Sequence, residues 1–318
     1  MIYLGFDTSN YTTSVSAFGE DTKESIRSLL KVKQNERGLR QSDAVFQHIK
    51  NLPGLFFGLS EKINMNSVAA VGVSTRPRNV DGSYMPVFLA GEGYARVCAA
   101  SLGVPVYEFS HQDGHIMAGI ESCGCHELMK KPFICVHLSG GTCEILLTEF
   151  KEITFSCRII GGTKDISAGQ LIDRVGVALG MGFPCGKQME ETAKECDCDI
   201  KLPVSVDKSY INFSGIETKT LSLIDNYPSQ VISSSLFLAI AKALEKSLDY
   251  CISEYNINDI LIVGGVASNS IIKNYLKEKL LVNVHFASAE YSTDNAFGIA
   301  ILTKIIHENT GKGKKWDK

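Results

Sequence analysis

Long apolar runs, a strong net charge and paired cysteine motifs are all missing from this chain, and each absence excludes a class of protein. No uninterrupted apolar stretch reaches about 18 residues, the length that a membrane-spanning helix needs. With 28 glycines and 8 prolines among 318 residues, the composition is not that of a fibrous protein. The chain therefore belongs among globular proteins, and its length suggests about two domains.

The charge balance excludes a general attraction to polyanions. The chain has 32 basic and 35 acidic side chains, which gives a formal net charge of −3. A nucleic acid would therefore have to be bound by a local basic patch or with help from a partner subunit.

The ten cysteines favour reduced thiols. None of them forms a CxxC pair, and the N-terminus reaches Asp7 without the basic start of a secretory signal. We therefore expect a cytoplasmic protein that is not associated with a membrane. The alternative interpretation is a small metal site formed by Cys123, Cys125 and His126, although the sequence shows no second pair of ligands for it.

Two strand–turn–strand patterns indicate a duplicated α/β architecture. Residues 2–6 read as a buried strand, and a polar turn separates them from a β-rich run at 12–18. The apolar segments 133–138 and 143–148 flank a second turn in the same way. Later strands alternate with helical patterns, the longest at 230–255, which is typical of α/β layers.

The clearest chemical pattern is a pair of histidines, His111 and His115. If Ser110 caps a helix, the two imidazoles lie one turn apart on one face, within reach of one metal ion. Neutral imidazole suits zinc or iron. A third ligand is needed, and Asp294 is a candidate, but spacing alone cannot place it near the histidines. The competing interpretation is an incidental pair.

Several glycine turns and one acid suit a phosphate or nucleotide. Glycines permit a close backbone approach, and a helix that starts after such a turn points its positive end at an anion. Ordinary turns and a solvated acid are the competing interpretations. The candidates are Ser139, Gly140, Gly141, Asp173, Gly264, Gly265 and Asn269.

Taken together, these segments resemble the tRNA threonylcarbamoyladenosine transferase family, once described as O-sialoglycoprotein endopeptidases. The resemblance covers nearly the whole chain, from Gly5-Phe6-Asp7-Thr8-Ser9 to Thr293-Asp294-Asn295-Ala296, in the same order and at similar separations. It implies that His111, His115 and Asp294 bind one divalent metal, either iron or zinc.

The resemblance also implies a site for an adenine nucleotide or carbamoyl adenylate. Pro184 and Gly186 match the family's Pro-Gly-Gly turn, and Phe213-Ser214-Gly215 matches its Phe-Ser-Gly segment. Asp173 matches an acid that binds the adenylate. The implied nucleotide residues are Ser139, Gly140, Gly141, Asp173, Gly186, Gly264, Gly265 and Asn269.

The fold implied is that of the actin, hexokinase and Hsp70 superfamily, an α/β fold with two ribonuclease-H-like lobes around a nucleotide cleft. We expect an N-terminal lobe at 1–108, the metal-ligand helix and its connection at 109–131, a C-terminal lobe with the nucleotide site at 132–300, and a helix end with a frayed tail at 301–318. The implied reaction moves a threonylcarbamoyl group from threonylcarbamoyl-AMP to N6 of adenosine 37 in tRNA. A related family subunit is a possible partner beside the tRNA.

Departures from the family pattern fall mainly around the acceptor. The family's acidic pair is absent at 10–12, Thr142 replaces a histidine, and Glu217 replaces a lysine. Arg76-Pro77-Arg78 replaces a glycine-rich loop and offers two guanidinium groups that could bind phosphate or carboxylate. The catalytic group therefore stays unassigned. Two further hypotheses stay open: a carbamoyl-type transferase with a non-tRNA acceptor, and a non-catalytic nucleotide-binding scaffold paralogue.

Overall fold

The computed structural model describes residues 1–9, 11–32, 39–196, 199–288, 290–291 and 295–310. The strands in chain order are β1 (Ile2–Asp7), β2 (Thr12–Gly19), β3 (Lys23–Leu29), β4 (Val68–Arg76), β5 (Val106–Ser110), β6 (Phe133–Leu138), β7 (Cys143–Lys151), β8 (Thr154–Thr163), β9 (Ser205–Asp207), β10 (Tyr210–Asn212), β11 (Asp259–Val263) and β12 (Asn283–Phe286). The α-helices are α1 (Gln41–Ser60), α2 (Phe88–Leu102), α3 (His111–Cys123), α4 (Ala168–Ala178), α5 (Gly186–Ala193), α6 (Ser214–Leu221), α7 (Ser229–Tyr255), α8 (Ser270–Lys279) and α9 (Phe297–Thr310).

The chain forms two compact units, neither of which is one continuous stretch. Unit 1 consists of Met1–Ser122, Phe150–Ser156 and Thr293–Lys318, and unit 2 consists of Cys123–Glu149 and Cys157–Ser292. Helix α9 belongs to unit 1 because it packs on β1, β2 and β4. The sequence-based ranges differ here, since they assign the start of that helix to a continuous C-terminal lobe.

Unit 1 is built on a five-stranded sheet in the order β3-β2-β1-β4-β5. Every residue of β1 is buried, because helices cover both faces of the sheet. Leu4 shares an apolar core with Leu52 of α1. On the opposite face, Gly5 lies so close to α9 that a Cβ there would collide with the Ala296 carbonyl oxygen.

Unit 2 is built on a seven-stranded sheet in the order β12-β11-β6-β7-β8-β10-β9. Strands β12, β11 and β6 run parallel, and β7 pairs antiparallel with β6. The core lies between this sheet and α7, which has 27 residues and buries a long row of apolar and small side chains. The predicted helix at 230–255 is therefore confirmed. The tip of the β7–β8 hairpin, residues 150–156, is counted with unit 1.

The two predicted strand–turn–strand patterns are confirmed. They correspond to the antiparallel pairs β1–β2 and β6–β7, each of which adjoins a parallel neighbour, β4 or β11. Among the described residues, no helix is both long enough and apolar enough to span a bilayer.

Candidate functional site

Helix α3 begins at His111 because Ser110 and Asp113 cap it reciprocally. The Asp113 N–H donates to the Ser110 side-chain oxygen at 3.1 Å, and the Ser110 N–H donates to the Asp113 carboxylate at 2.9 Å. The Asn79 amide and the Phe155 N–H also donate to this carboxylate. The predicted cap is confirmed, and Asp113 anchors the start of the helix.

The two histidines of α3 face one another. Their ring centroids lie 4.3 Å apart, with the ring planes at 82°. The Nδ1 atom of His111 lies 3.1 Å from an oxygen of Asp7, a fully buried acid at the end of β1. The hydroxyls of Ser9 and Ser74 donate to the same carboxylate and hold it in place. A carboxylate on one ring nitrogen orients the other nitrogen toward a metal in many metalloproteins.

This donor set fits a divalent metal, because two imidazoles lie together beside an orienting carboxylate. The predicted third ligand, Asp294, lies outside the described residues, so the set of three ligands stays a prediction. Asp7 was not among the predicted site residues. Its signal in the sequence is its position, as an acid at the carboxyl end of the first strand.

Unit 2 contains a pocket of about 370 Å³, which is large enough for part of a small ligand. Four separate segments contribute predicted residues to it: the β6–β7 turn, α4, α5 and the connection from β11 to α8. The predicted residues that line it are Gly140, Asp173, Gly186, Gly265 and Asn269. The predicted Ser139, Gly141 and Gly264 are each adjacent in sequence to one of them.

One wall of the pocket depends on two glycines in close contact. A Cβ on Gly169, near the start of α4, would collide with the Cα of Gly140 in the β6–β7 turn. The Ser167 hydroxyl, which caps α4, donates to the Gly140 carbonyl at 2.6 Å. The Ser139 N–H donates to the Thr142 carbonyl at 2.8 Å and closes the turn. The Ser-Gly-Gly turn is therefore held against the N-terminus of a helix.

The connection from β11 to α8 forms another part of the pocket wall. Gly264 has a φ of 105°, and a Cβ there would collide with the Leu138 carbonyl oxygen. The Asn269 side chain caps α8 by accepting the Ile272 N–H at 3.0 Å. Because the cap engages the carboxamide oxygen of Asn269, a contact with a ligand would come from its amide nitrogen. Glu190 of α5 accepts the Ser270 N–H at 2.9 Å.

Asp173 supplies a carboxylate to this pocket. Its Oδ1 accepts the N–H of Cys185 at 2.8 Å. Partial burial raises the pKa of the Asp173 carboxyl above its ordinary value, although the hydrogen bond from Cys185 opposes the shift. The remaining acceptor capacity of the carboxylate suits a hydroxyl or amine of a ligand.

Two of the departures from the family pattern have local partners in the structure. Glu217 accepts from Arg174 of α4, with 3.2 Å between nitrogen and oxygen. The Arg76 guanidinium donates to the Asn79 carboxamide at 2.8 Å and to the Thr75 hydroxyl at 3.1 Å. Arg76 is thus engaged within its own turn. In the stretch without the acidic pair, residue 10 lies outside the described residues.

The fold is shared with several proteins of known structure. The chain is similar to HypF from T. kodakarensis, with a TM-score of 0.59 and 12% identity over 96% of this chain and 46% of that one. It is also similar to the activator of the 2-hydroxyisocaproyl-CoA dehydratase from Clostridium difficile, with a TM-score of 0.55 and 13% identity over the whole of both chains. The chain spans about half the length of HypF. The predicted actin/hexokinase/Hsp70-like ATPase fold is confirmed.

The family follows from the sequence comparisons. A family model described as tRNA N6-adenosine threonylcarbamoyltransferase matches residues 23–301. Relatives of that name include a protein of Thermosipho africanus, 29% identical over 95% of this chain and 93% of its own. Another is from Thermus thermophilus, 29% identical over 97% of this chain and 94% of its own. The chain belongs to this family of acyl-type transferases, which confirms the predicted family and enzyme class.

Proposed function

We propose that this chain transfers a threonylcarbamoyl group from threonylcarbamoyl-AMP to N6 of adenosine 37 in tRNA. Membership of the family over most of the chain supports the reaction class. The observation that carries the proposal is the pocket of unit 2, where residues from four segments that are distant in sequence line one cavity.

The pocket would hold the AMP portion of the acyl donor. Its glycine turns allow the backbone to approach a ligand closely, and the N-termini of α4 and α8 adjoin it, so their N–H groups favour a phosphate there. Asp173 would accept a hydrogen bond from the nucleoside. Glycines and apolar side chains make up most of the lining, which fits a role in binding rather than in proton transfer.

The histidine pair of unit 1 would hold one divalent metal together with Asp294. His111 and His115 would be ligands, and Asp7 would orient His111 through its Nδ1 atom. When bound, such a metal supplies Lewis acidity toward a carbonyl or phosphoryl oxygen. Two imidazoles and one carboxylate suit iron and zinc alike.

The transfer needs positioning more than a strong base. The N6 amine forms a bond to the carbamoyl carbon, the bond from that carbon to the phosphate oxygen breaks, and AMP leaves with the electron pair. AMP is a stable anion and needs no proton to leave, while the amine gives its proton to solvent or to the departing phosphate. Because the family's acidic pair is absent at residues 10–12, no side chain is assigned as the base.

A tRNA substrate needs a local basic surface, since the net charge is −3. Four lysines of unit 2 line a second pocket, of about 590 Å³. They are Lys201, Lys219, Lys242 and Lys246. Two acids, Asp199 and Glu245, also line the pocket, and Lys242 pairs with Asp199 at 3.7 Å, so the lysines remain in excess. We propose this lysine cluster as the local patch. Reversing the charges of Lys201 and Lys219 together should weaken tRNA binding. It should also reduce the slope with which the binding affinity falls as the salt concentration rises.

A transferase with a different acceptor is the second candidate. It is favoured by Glu217, which stands where the family has a lysine and pairs with Arg174. This alternative keeps the same acyl donor and the same pocket, and changes only the group that attacks the carbonyl carbon.

The decisive experiment is a product assay by mass spectrometry with threonylcarbamoyl-AMP, run with and without unmodified tRNA. Modified adenosine that forms only with tRNA supports the first function. Consumption of the donor without modified tRNA, together with an acylated small molecule or protein, supports the second. Donor that stays intact, even when related family subunits are added, contradicts both.

A further inference from the structure

Three metal-ligating side chains of unit 2 converge outside the residues of the nucleotide pocket. They are Cys123, Cys125 and His285, and one donor atom from each lies within 4.8 Å of the other two. We infer that this cluster, called the Cys-Cys-His cluster below, binds one zinc ion as a structural site. The inference does not rest on the proposed function, because none of the three residues belongs to the nucleotide pocket or to the predicted metal set of unit 1.

The two cysteines are brought together by the turn that ends α3. Cys123 is the last residue of the helix, and Gly124 follows it in the left-handed region, with a φ of 66°. Glycine adopts this conformation at little cost, whereas other residues are strained there. The turn reverses the chain and leaves both sulfurs on the same side, with Cys125 buried.

His285 reaches the same place from the edge of the seven-stranded sheet. It lies in β12, which pairs only with β11 in the described sheet. Its Nε2 atom is shielded from solvent and has no hydrogen-bond partner. The carboxylate of Glu127 is 3.8 Å away, which is beyond hydrogen-bond distance. A shielded nitrogen without a hydrogen bond destabilises the fold, and a bound metal would remove that cost.

The donors match zinc chemistry. Zinc binds cysteine sulfur at about 2.3 Å and histidine nitrogen at about 2.0–2.1 Å in a tetrahedron, so neighbouring donors lie about 3.5–3.8 Å apart. The three donor atoms lie within 4.8 Å of one another, so they would need to approach by roughly 1 Å to reach that geometry. Two sulfurs and an imidazole favour zinc over magnesium or calcium. On binding, each thiol releases its proton to solvent, and the two thiolates balance the charge of the ion.

Glu127 is the candidate fourth ligand. It lies two residues after Cys125, and its carboxylate is near both thiols as well as His285. In the sequence, His126 was the histidine of the alternative metal site with Cys123 and Cys125. In the structure His126 is exposed, and His285, 160 positions later than Cys125 in the chain, takes that place.

A metal bound to the Cys-Cys-His cluster would stabilise the position of the edge strand β12. β12 has only four residues, and its polar connection to the segment after α3 runs through Asp259 of β11. The Asn283 amide donates to Asp259 at 3.1 Å, and Lys131 pairs with the same carboxylate at 2.7 Å. A zinc ion on the Cys-Cys-His cluster would add a direct link between the segment after α3 and β12, which is what structural zinc sites do.

The test measures zinc in protein purified without chelator. The background is the His111→Ala/His115→Ala variant, so that the metal predicted in unit 1 does not contribute. We expect one zinc per chain, lost when Cys123→Ser and Cys125→Ser are added, or when His285→Ala is added. His126→Ala and Cys196→Ser are the matched controls, and both should keep the zinc. Cobalt substituted for zinc should give thiolate charge-transfer absorption.

A second measurement covers variants that fail to fold. In the wild-type chain, chelation should lower Tm by several degrees and expose Cys123 and Cys125 to alkylation, as mapped by peptide mass spectrometry. Zinc retained in the Cys123→Ser/Cys125→Ser protein would overturn the inference. The inference would also be overturned if the wild-type chain held no zinc after equilibration with zinc. A disulfide between Cys123 and Cys125 in protein purified with a reducing agent would overturn it as well. Each of these results leaves the product assay, and hence the proposed function, untouched.

Discussion

The histidine pair of unit 1 and the pocket of unit 2 are built by different means. In unit 1, side-chain donors are held by hydrogen bonds, as His111 is by the buried Asp7. In unit 2, the pocket depends on close contact between two backbone segments, such as the contact between Gly169 and Gly140. The first arrangement should fail when a donor atom is lost, and the second when a single carbon atom is added.

The largest effect should come from removing the donors of unit 1. His111→Ala with His115→Ala should abolish metal binding in that unit and lower transferase activity by at least about 100-fold, because both imidazole ligands of the predicted metal are removed. Nucleotide binding by unit 2 should change by less than about twofold, as titration calorimetry would measure. His126→Ala is the control. Transferase activity that survives in the double variant would contradict the proposed dependence of unit 1 on these two side-chain donors.

The next largest effect should come from adding a carbon to the pocket of unit 2. Gly169→Ala places a Cβ against the Cα of Gly140, so the turn must shift. We expect a free energy of unfolding lower by about 1–3 kcal/mol and nucleotide affinity lower by at least about tenfold. Gly215→Ala, where a Cβ meets open space, should change stability by less than about 1 kcal/mol. Equal effects of the two substitutions would contradict the packing argument.

Asp173→Asn should separate binding from stability in unit 2. Burial raises the pKa of Asp173, so ionisation costs the folded state free energy. The contribution of the Asp173 carboxyl to the free energy of unfolding is complete at pH values below its pKa in the unfolded chain. It is lost as the pH rises through its higher pKa in the folded chain. The Asn variant should therefore be at least as stable as wild type at neutral pH, with the difference vanishing in acid.

The same variant should bind nucleotide about tenfold more weakly, because the charged acceptor is lost. Asp249→Asn is the matched control, since burial also raises the pKa of Asp249 but that residue does not line the pocket. Unfolding curves across pH and calorimetry with the nucleotide would check both statements. A marked loss of stability at neutral pH would show that Asp173 holds the fold rather than the ligand.

The smallest effect should come from Asp165, which holds the start of α6. Burial works to raise the pKa of its carboxyl, but hydrogen bonds from Ser214 and Phe213 outweigh burial and lower the pKa to about 2. The two backbone N–H groups donate at 2.9 Å to different carboxylate oxygens. Asp165→Asn keeps only one acceptor oxygen, and because the carboxyl is exposed to solvent the cost at neutral pH should be at most about 1 kcal/mol.

The pH dependence of Asp165 follows from the sign of its shift. A depressed pKa contributes stability that is present above the ordinary value of 3.8 and is lost as the pH falls through about 2. The difference between wild type and Asp165→Asn should therefore shrink across that window in unfolding experiments. Asp207→Asn, in an exposed ion pair with Lys164, should leave the unfolding midpoint unchanged.

Local features were predictable because short-range geometry determines them. The hairpins β1–β2 and β6–β7, the helix at 230–255 and the cap at Ser110 all depend on residues within a few positions of one another. The one-turn spacing of His111 and His115 is of the same kind. Most predicted residues of the unit 2 pocket were named from their glycine turns, and Gly186 was named through the family resemblance. Their roles stay predictions.

Features that join distant segments were not predictable from spacing. Asp7 lies 104 positions before His111, and nothing in the local pattern of either residue indicates their contact. The sequence suggested Cys123, Cys125 and His126 as an alternative metal site, but the side chains whose donor atoms lie together are those of Cys123, Cys125 and His285. His126 is next in sequence, whereas packing of β12 on β11 brings His285 to the sulfurs.

By itself, the sequence determined the family, the fold class and the elements whose hydrogen bonds lie within a few residues. The tertiary structure decided which side chains meet: Asp7 with His111, Gly169 with Gly140, and His285 with Cys123 and Cys125. The physical reason is that helix and turn geometry is local, whereas the distance between remote segments is set by how the sheets and helices bury their apolar faces.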